Sequence, residues 1–257
     1  MGGVNPTRLR WGACAWLLTL QFFVVETIAQ ARYAGPYSRA DDVISDLGAS
    51  GSAAAQLMNA SFVVQAGLIL AGALLLRPVL LRGSGQVATV LLGASAIGTL
   101  LVGVFPSDGN ALVHAIGAVV YLVGGGLGLI ALAYAVRARS EILGTALALL
   151  GLVGTAATVF FVTGVTEYLG EGGTERVAAY VVPLGLALAG VSLWRLARPG
   201  ATDRRAERES ARAEQAQRDR DRDAALEAAA RRGTTRTDTA DEAELDDHWA
   251  PVERRRD

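Results

Sequence analysis

The sequence predicts an all-α integral membrane protein, a six-helix bundle followed by a charged tail that is partly helical or disordered. The 257-residue chain is 51% hydrophobic, yet roughly its last sixty residues are strongly polar. The apolar residues are therefore concentrated in the first part of the chain. Several segments of about twenty residues there are nearly free of charge, which is the length of helix that crosses a bilayer core. A soluble helical domain would instead carry a charged face along each helix.

The hydrophobic segments predict six membrane spans, numbered one to six. Their predicted bounds are about 11–28, 57–76, 86–105, 111–136, 142–165 and 177–196. These spans make up a predicted transmembrane domain over 1–198, and residues 199–257 form the charged tail. The short connection between spans three and four predicts that these two helices are antiparallel neighbours.

The arginines predict the orientation of the spans. The N-terminus, the connections after spans two and four, and the C-terminal flank each carry at least two arginines. The connections after spans one, three and five carry only Arg32, Arg39 and Arg176, beside many carboxylates. Under the positive-inside rule both termini are cytoplasmic and the acidic connections face outward. The expected location is the plasma membrane of a prokaryote.

Span one has two interpretations. Arg8 and Arg10 before an apolar run, with Ala29-Gln30-Ala31 after it, are typical of a cleaved signal peptide. The run is long for a signal peptide, however, and Gln21 and Glu26 interrupt its second half. A retained helix is the favoured interpretation, because the later spans predict an integral bundle.

Other features of the composition narrow the function classes. The charges are of mixed sign, with a net charge of −1, so no nucleic-acid partner is expected. Cys14 is the single cysteine, and a small buried apolar role is predicted for it. Gly124 and Gly128 have the Gly-x-x-x-Gly spacing of close helix contacts. Packing inside one bundle is favoured for them over a dimerisation face.

The tail differs sharply from the spans. Residues from about 203 to 232 are rich in alanine, arginine and glutamate and predict a solvated helix. Residues 234–257 are predicted to be disordered. A protein partner that docks on Leu245, Trp249 and Val252 is the functional alternative to a solvated extension.

Polar residues at the ends of the spans are the candidate site, because a charge inside a bilayer is costly and is usually turned toward protein or water. On the predicted topology nearly all of them collect at the outward end. The candidate polar cluster consists of Glu26, Ser45, Asp46, Asn59, His114, Glu167, Glu175 and Arg176. Asp46 is the acid of the first loop that is expected to turn inward, whereas Asp41 and Asp42 are expected to be solvated.

His114 is the only histidine in the membrane region. A structural hydrogen bond to Asp108 or Asp46 is the favoured interpretation. The alternative is a general base or a metal ligand in a mixed site with Asp46 and Glu167 or Glu175. No serine-hydrolase or zinc-protease motif is present. The sequence gives no reason to expect a cofactor or a tight metal site.

Arg176 has a structural and a functional interpretation. Paired with Asp46 or Glu26, it clamps the outer loops together. Unpaired, it holds an anionic lipid headgroup through a bidentate contact. The clamp is favoured.

Three motifs resemble a prokaryotic membrane family known as domain of unknown function 998. They are Ile44-Ser45-Asp46-Leu47-Gly48 with Met58-Asn59, then Gly103-Val104-Phe105-Pro106 with His114 and Gly117, and finally Gly173-Thr174-Glu175-Arg176. The resemblance covers about Trp11 to Leu196 and excludes the tail. It implies a six-helix bundle and no particular reaction.

The leading functional hypothesis is an outward-facing polar pocket that binds a lipid headgroup or a membrane partner. A membrane-embedded hydrolase or transferase that uses His114 and the carboxylates is the alternative. A small-solute transporter ranks third, because the sequence indicates neither broken helices nor an inverted repeat.

Overall fold

The computed structural model describes residues 5–80, 82–196 and 210–228, and it is all-α over these residues. Seven α-helices lie in the first part of the chain: α1 Pro6–Leu18, α2 Gln21–Ala31, α3 Ala55–Leu76, α4 Arg82–Val104, α5 Ala111–Val136, α6 Glu141–Thr163 and α7 Glu171–Leu196. Two 3-10 turns, Ile44–Gly48 and Arg77–Val79, flank α3. Six candidate spans follow, because α1 and α2 together make one span over Pro6–Ala31. The six predicted spans are therefore confirmed.

The helices pack in chain order and close into a ring. Each of α3 to α7 packs on the next, while α1 packs on both α3 and α7. We name the two ends of this bundle by their connections. The acidic end carries residues 32–54, 105–110 and 164–170, and the arginine end carries residues 77–82 and 137–140.

Glycines set the closest helix contacts. A Cβ atom on Gly124 would lie 2.9 Å from backbone atoms of Leu91 and Ser95 on α4, and Gly128 faces Leu92 on the same helix. Both glycines of the Gly-x-x-x-Gly pair therefore pack inside the bundle. On the other side of the ring, Trp16 of α1 lies against Gly72 of α3.

Span one is interrupted near its middle. Residues 19–20 separate α1 from α2, and the Thr19 hydroxyl donates to the carbonyls of Trp16 and Pro183. A threonine hydroxyl that bonds to the preceding turn competes with regular helical bonding and bends helices. Thr19 and Leu20 keep right-handed helical backbone angles, so the interruption is a local tightening that the sequence did not indicate and not an unwound segment.

Pro183 lies inside α7, where the missing N–H leaves the carbonyl of Ala179 without its helical donor. The Tyr121 hydroxyl of α5 donates to that carbonyl at 2.9 Å. Thr19 bonds to the Pro183 carbonyl at 3.2 Å. A side chain of span four thus satisfies the one backbone carbonyl of span six that the proline leaves without its helical donor.

Cys14 does not have the predicted buried role, because the structure places it on the exposed face of α1. Pro199–Asp257 forms a separate unit. Within that unit, residues 210–228 are an exposed helix with an Arg218–Glu214 ion pair one turn apart. The proposed docking segment with Leu245, Trp249 and Val252 lies outside the described residues, as does the predicted disordered region.

Candidate functional site

The first loop of the acidic end, residues 32–54, lies tightly against the start of α7. Gly173 N–H donates to the Ala40 carbonyl at 2.9 Å. A Cβ atom on Gly172 would lie 2.1 Å from the Asp42 carbonyl oxygen, so only glycine fits there. Gly170, at φ 76°, makes the turn into the helix. The glycines of the Gly-Gly-Thr-Glu-Arg segment therefore let the loop approach, which brings Glu175 and Arg176 beneath it.

α7 begins at Glu171, six residues before the predicted start of span six at 177. Glu175 and Arg176 are consequently helical and buried, with 8% and 5% of their surface exposed. The sequence placed both residues in an acidic loop because of the cost of charge in a bilayer. That boundary was wrong, since packing partners from the first loop satisfy the two charged groups inside the helix.

Arg176 is the centre of a buried network that we call the clamp, formed by Glu26, Tyr37, Arg39, Arg176 and Tyr180. The Arg176 Nε donates to the Glu26 carboxylate at 2.9 Å. One terminal nitrogen of Arg176 donates to the carbonyls of Arg39 and Asp42, both at 2.8 Å, and the other donates to the Tyr37 hydroxyl. Of the two partners considered from the sequence, Arg176 pairs with Glu26.

Glu26 is as fully engaged as Arg176. It is 1% exposed. Its second oxygen accepts from the Tyr180 hydroxyl, which in turn accepts from Arg39. The guanidinium of Arg39 also lies 3.6 Å from Glu26. The clamp therefore joins span one, the first loop and span six. Among its five residues, Glu26 is the one that carries a carboxylate.

Tyr37 belongs to the loop part of the clamp. Burial raises its pKa to about 12, and the neighbouring Arg176 opposes that rise. Its ring also lies under the Arg176 guanidinium, 5.5 Å from ring centroid to Cζ, which adds a cation–π contact.

A second group of residues lies beside the clamp, and we call Ser45, His114 and Glu175 the serine–histidine site. The His114 Nε2 atom is 2.8 Å from the Ser45 Oγ. Its Nδ1 atom is 2.8 Å from the Phe105 carbonyl oxygen. Because a carbonyl only accepts, Nδ1 carries the proton and Nε2 accepts from the serine hydroxyl.

Glu175 closes this group from α7. One carboxylate oxygen accepts from the Ile44 N–H, and the other lies 3.5 Å from the Ser45 Oγ. Because the single Ser45 proton is directed to His114, the Ile44 N–H is the one described donor to Glu175, and it is neutral. Within residues 5–80 and 82–196, no arginine or histidine forms a salt bridge with Glu175. His114, at 7% exposure, is also nearly buried.

A small cavity of about 30 Å³ opens beside Ser45 and Glu175. Its walls include the aromatic rings of Phe22, Phe62 and Tyr121. This volume is enough for at least one water-sized group, since a single water needs about 10–15 Å³. The site is thus a carboxylate and a hydroxyl facing a small, mainly apolar space.

The remaining residues of the predicted polar cluster lie outside the clamp and the serine–histidine site. Asn59 donates to the Gly48 carbonyl at 2.9 Å and fixes the end of the first 3-10 turn. Asp46 is half-buried in that turn, where burial and the nearby Asp42 charge raise its pKa. Glu167 is exposed in the 164–170 connection of the acidic end and joins no described contact of the site.

The hydrogen bonds predicted for His114 were wrong, because its partners are Ser45 and Phe105 rather than Asp108 or Asp46. Asp108 instead accepts from the backbone and side chain of Ser50, which lowers its pKa. Among the described residues no three histidine, cysteine or acidic side chains converge as metal ligands. The mixed site of His114 with Asp46 and Glu167 or Glu175 is therefore not assembled.

Asp41 and Asp42 are not merely solvated. Asp42 accepts from the Ser38 N–H at 2.7 Å and Asp41 from the Ser38 hydroxyl at 2.6 Å. These bonds shape the loop whose carbonyls reach Arg176. Tyr180 was missed from the sequence, although its position one helical turn after Arg176 places both on one face of α7.

A family model described as "Protein of unknown function (DUF998)" matches residues 17–192. The chain belongs to this family. Comparisons with curated proteins and with solved structures found no match. The three motifs that resemble the DUF998 family are far apart in the sequence, and the fold brings them together at the acidic end, where they supply Ser45, His114 and Glu175.

Proposed function

We propose that this DUF998 protein binds the amine-bearing headgroup of a membrane lipid at the serine–histidine site. The observation that carries the proposal is Glu175, a buried carboxylate that faces a cavity, accepts from the neutral Ile44 N–H and forms no salt bridge among the described residues. Burying a charge without an opposite charge is costly, and such groups occur at functional sites more often than elsewhere.

The cavity matches an ammonium group in size and chemistry. A primary ammonium is about as large as one water, which is what a cavity of about 30 Å³ accommodates. Its three donors pair with the Glu175 carboxylate and the Ser45 hydroxyl, and the rings of Phe22, Phe62 and Tyr121 also line the cavity.

An anionic headgroup fits this end of the bundle less well. Arg176 was the expected partner for such a group, but its guanidinium is buried and every terminal nitrogen donates within the clamp. A phosphate would have to break the Glu26–Arg176 pair. The clamp therefore supports the loop that carries Ser45 rather than binding lipid.

The orientation belongs to the same proposal. With both termini in the cytoplasm, the acidic end and its cavity face outward. The plasma membrane of a prokaryote would then present lipid headgroups of its outer leaflet to Glu175. The contacts of Glu26 with Arg176 and Tyr180 favour a retained span one, since cleavage after Ala31 would remove the acid of the clamp.

The test is retention of lipid by the purified full-length protein, measured by native mass spectrometry. Phosphatidylethanolamine is compared with phosphatidylcholine and phosphatidylglycerol of the same chains. We expect phosphatidylethanolamine to be preferred, and Glu175→Gln to weaken its binding about tenfold or more, since hydrogen bonds to charged groups contribute about 1.5–3 kcal/mol.

Glu167→Gln is the matched control, because it removes an exposed acid from the same end of the bundle. It should leave the lipid preference unchanged. Equal retention of the three lipids by the wild type, or an unchanged preference in Glu175→Gln, would overturn the proposal.

The geometry of His114 favours a second candidate function, cleavage of a lipid ester. With Nδ1 held by the Phe105 carbonyl, Nε2 is oriented to take the Ser45 proton. Ser45 Oγ would attack the ester carbonyl, and the alcohol would leave with that proton. Water would then hydrolyse the acyl-serine, restoring the serine and releasing the carboxylic acid.

A fluorophosphonate probe separates this candidate from simple binding. Labelling of Ser45, located by peptide mass spectrometry and lost in His114→Gln, would support the hydrolase. Absence of both labelling and lipid turnover in the folded wild type would reject the hydrolase and leave the binding proposal intact.

A further inference from the structure

A larger depression lies at the arginine end of the bundle, between the end of α5 and the start of α6. Its volume is about 180 Å³. Small residues form its floor: Ala133 of α5 with Gly144 and Ala148 of α6. Tyr134, which is 62% exposed, and Arg137 stand on its rim. The depression opens on the outer surface of the ring, where a bilayer surrounds the protein.

Arg137 supplies the charge of this groove. Its side chain is exposed, and within residues 5–80 and 82–196 its guanidinium makes no hydrogen bond or ion pair. The same connection carries Arg139 and one acid, Glu141, so it has a net positive charge. Charge and shape thus combine at one place, a cationic rim above an apolar floor.

The groove reaches past the headgroup layer. Its lining extends along α6 as far as Leu149, eight residues beyond Glu141 at the start of the helix. At 1.5 Å per residue this is a depth of about 12 Å. The headgroup region occupies only about 5–8 Å on each side of the hydrocarbon core. The lower part of the groove is therefore at acyl-chain depth.

We propose that this groove holds one anionic glycerophospholipid. Its phosphate contacts the Arg137 guanidinium, which suits the fork of donors on arginine. The first carbons of one acyl chain lie on Ala133, Gly144 and Ala148. The groove is smaller than the roughly 300–1,000 Å³ that encloses a whole small molecule, so it takes a segment of the lipid while the rest stays in the bilayer.

The predicted orientation strengthens the choice of an anionic lipid. The arginine end faces the cytoplasm under the positive-inside rule. Anionic lipids give the cytoplasmic leaflet its negative surface potential, and basic pockets between helices on that side bind anionic headgroups. This inference does not depend on Glu175 or on the proposed function of the acidic end.

The experiment compares phosphatidylglycerol with phosphatidylcholine of the same chains on the full-length protein, by native mass spectrometry. We expect phosphatidylglycerol to be retained more strongly. Arg137→Gln should reduce that preference about fivefold, because one arginine near a membrane surface contributes about 1 kcal/mol to the binding of anionic lipid. Ala148→Phe should fill the floor and lower retention of both lipids.

Arg77→Gln is the matched control, an exposed arginine at the same end outside the groove. It should leave the preference unchanged. Millimolar inorganic phosphate should not displace the lipid if the acyl chain contributes. An equal loss in Arg77→Gln, no loss in Arg137→Gln, or full displacement by phosphate in variants that melt like the wild type would overturn the proposal.

Discussion

The clamp and the serine–histidine site are neighbours at one end of the bundle, and each has a buried carboxylate. The two carboxylates have different partners. Glu26 is paired with Arg176 and accepts from Tyr180. Glu175, on the same helix as Arg176, accepts from the neutral Ile44 N–H, lies 3.5 Å from the Ser45 Oγ and faces a cavity.

This difference separates structural from functional charge. A buried ion pair whose remaining donors and acceptors are all bonded fixes one arrangement of the chain, whatever its net energy. A buried carboxylate that lacks a cation costs stability and persists where it binds or reacts. Mutations of the two groups should therefore have opposite effects on folding and on ligand binding.

The largest effect should come from Arg176→Met, which breaks the clamp. It leaves Glu26 buried without a cation and removes the donor to the Arg39 and Asp42 carbonyls. Loss of one partner of a buried pair typically costs about 3–5 kcal/mol of unfolding free energy. Denaturant titration in detergent, followed by the circular dichroism of the helices, measures this cost.

Glu26→Gln in the Arg176→Met background is the internal check on that result. Removing the second charge should recover part of the lost stability, because the unpaired carboxylate is gone. If the double variant is as unstable as the sum of the two single variants, the ion pair is not what holds the loop.

The second prediction contrasts Glu26→Gln with Glu175→Gln directly. The first should lower the unfolding free energy by about 3 kcal/mol, since Arg176 becomes the unpaired charge. The second should leave stability unchanged or raise it by about 1 kcal/mol, because a charge without a cation is removed while the amide oxygen still accepts from Ile44. Equal losses in both variants would contradict the distinction between the two groups.

The third prediction concerns the proline of span six. Tyr121→Phe should cost about 1 kcal/mol, because the Ala179 carbonyl then lacks a donor inside the bundle. In a Pro183→Ala background the helix supplies its own N–H to that carbonyl, so the cost of Tyr121→Phe should vanish. Tyr134→Phe, on the exposed face of α5, is the control and should change nothing.

The spans were predictable because length and missing charge identify a membrane helix without any tertiary information. The pairing of side chains could not be predicted from the sequence. Ser45 and His114 are 69 residues apart, and Glu26 and Arg176 are 150 apart. Topology places all four at one end, but which side chains meet depends on how each helix is rotated about its axis. Helices that are apolar on all faces carry no stripe that fixes this rotation.

Two local features were missed for a related reason. No proline or glycine in the sequence marks the interruption at Thr19. It involves a contact of the Thr19 hydroxyl with the Pro183 carbonyl of another span, which the sequence does not reveal. The early start of α7 at Glu171 depends on the first loop, whose Ile44 N–H and Arg39 and Asp42 carbonyls satisfy Glu175 and Arg176. Neither partner is local in sequence.

The smallest expected effect is a dependence of stability on pH that comes from Tyr37. Burial raises the pKa of Tyr37 to about 12 from the usual tyrosine value of 10.0. The unfolded chain therefore loses this proton first, and between these two values the folded state binds more protons than the unfolded state. Its contribution is complete below pH 10 and is lost as pH rises through 12.

Because Tyr37 is only half-buried, solvent screening limits the change to about 1 kcal/mol or less. Tyr37→Phe should remove this part of the decline between pH 10 and 12, whereas Tyr33→Phe, in the ring that packs edge-to-face against Tyr37, should keep it. Unfolding free energies at pH 9, 10, 11 and 12 measure both slopes. The same decline in Tyr37→Phe as in the wild type would show that the phenol is not held neutral by the fold, and the clamp would then be more open to water than its contacts indicate.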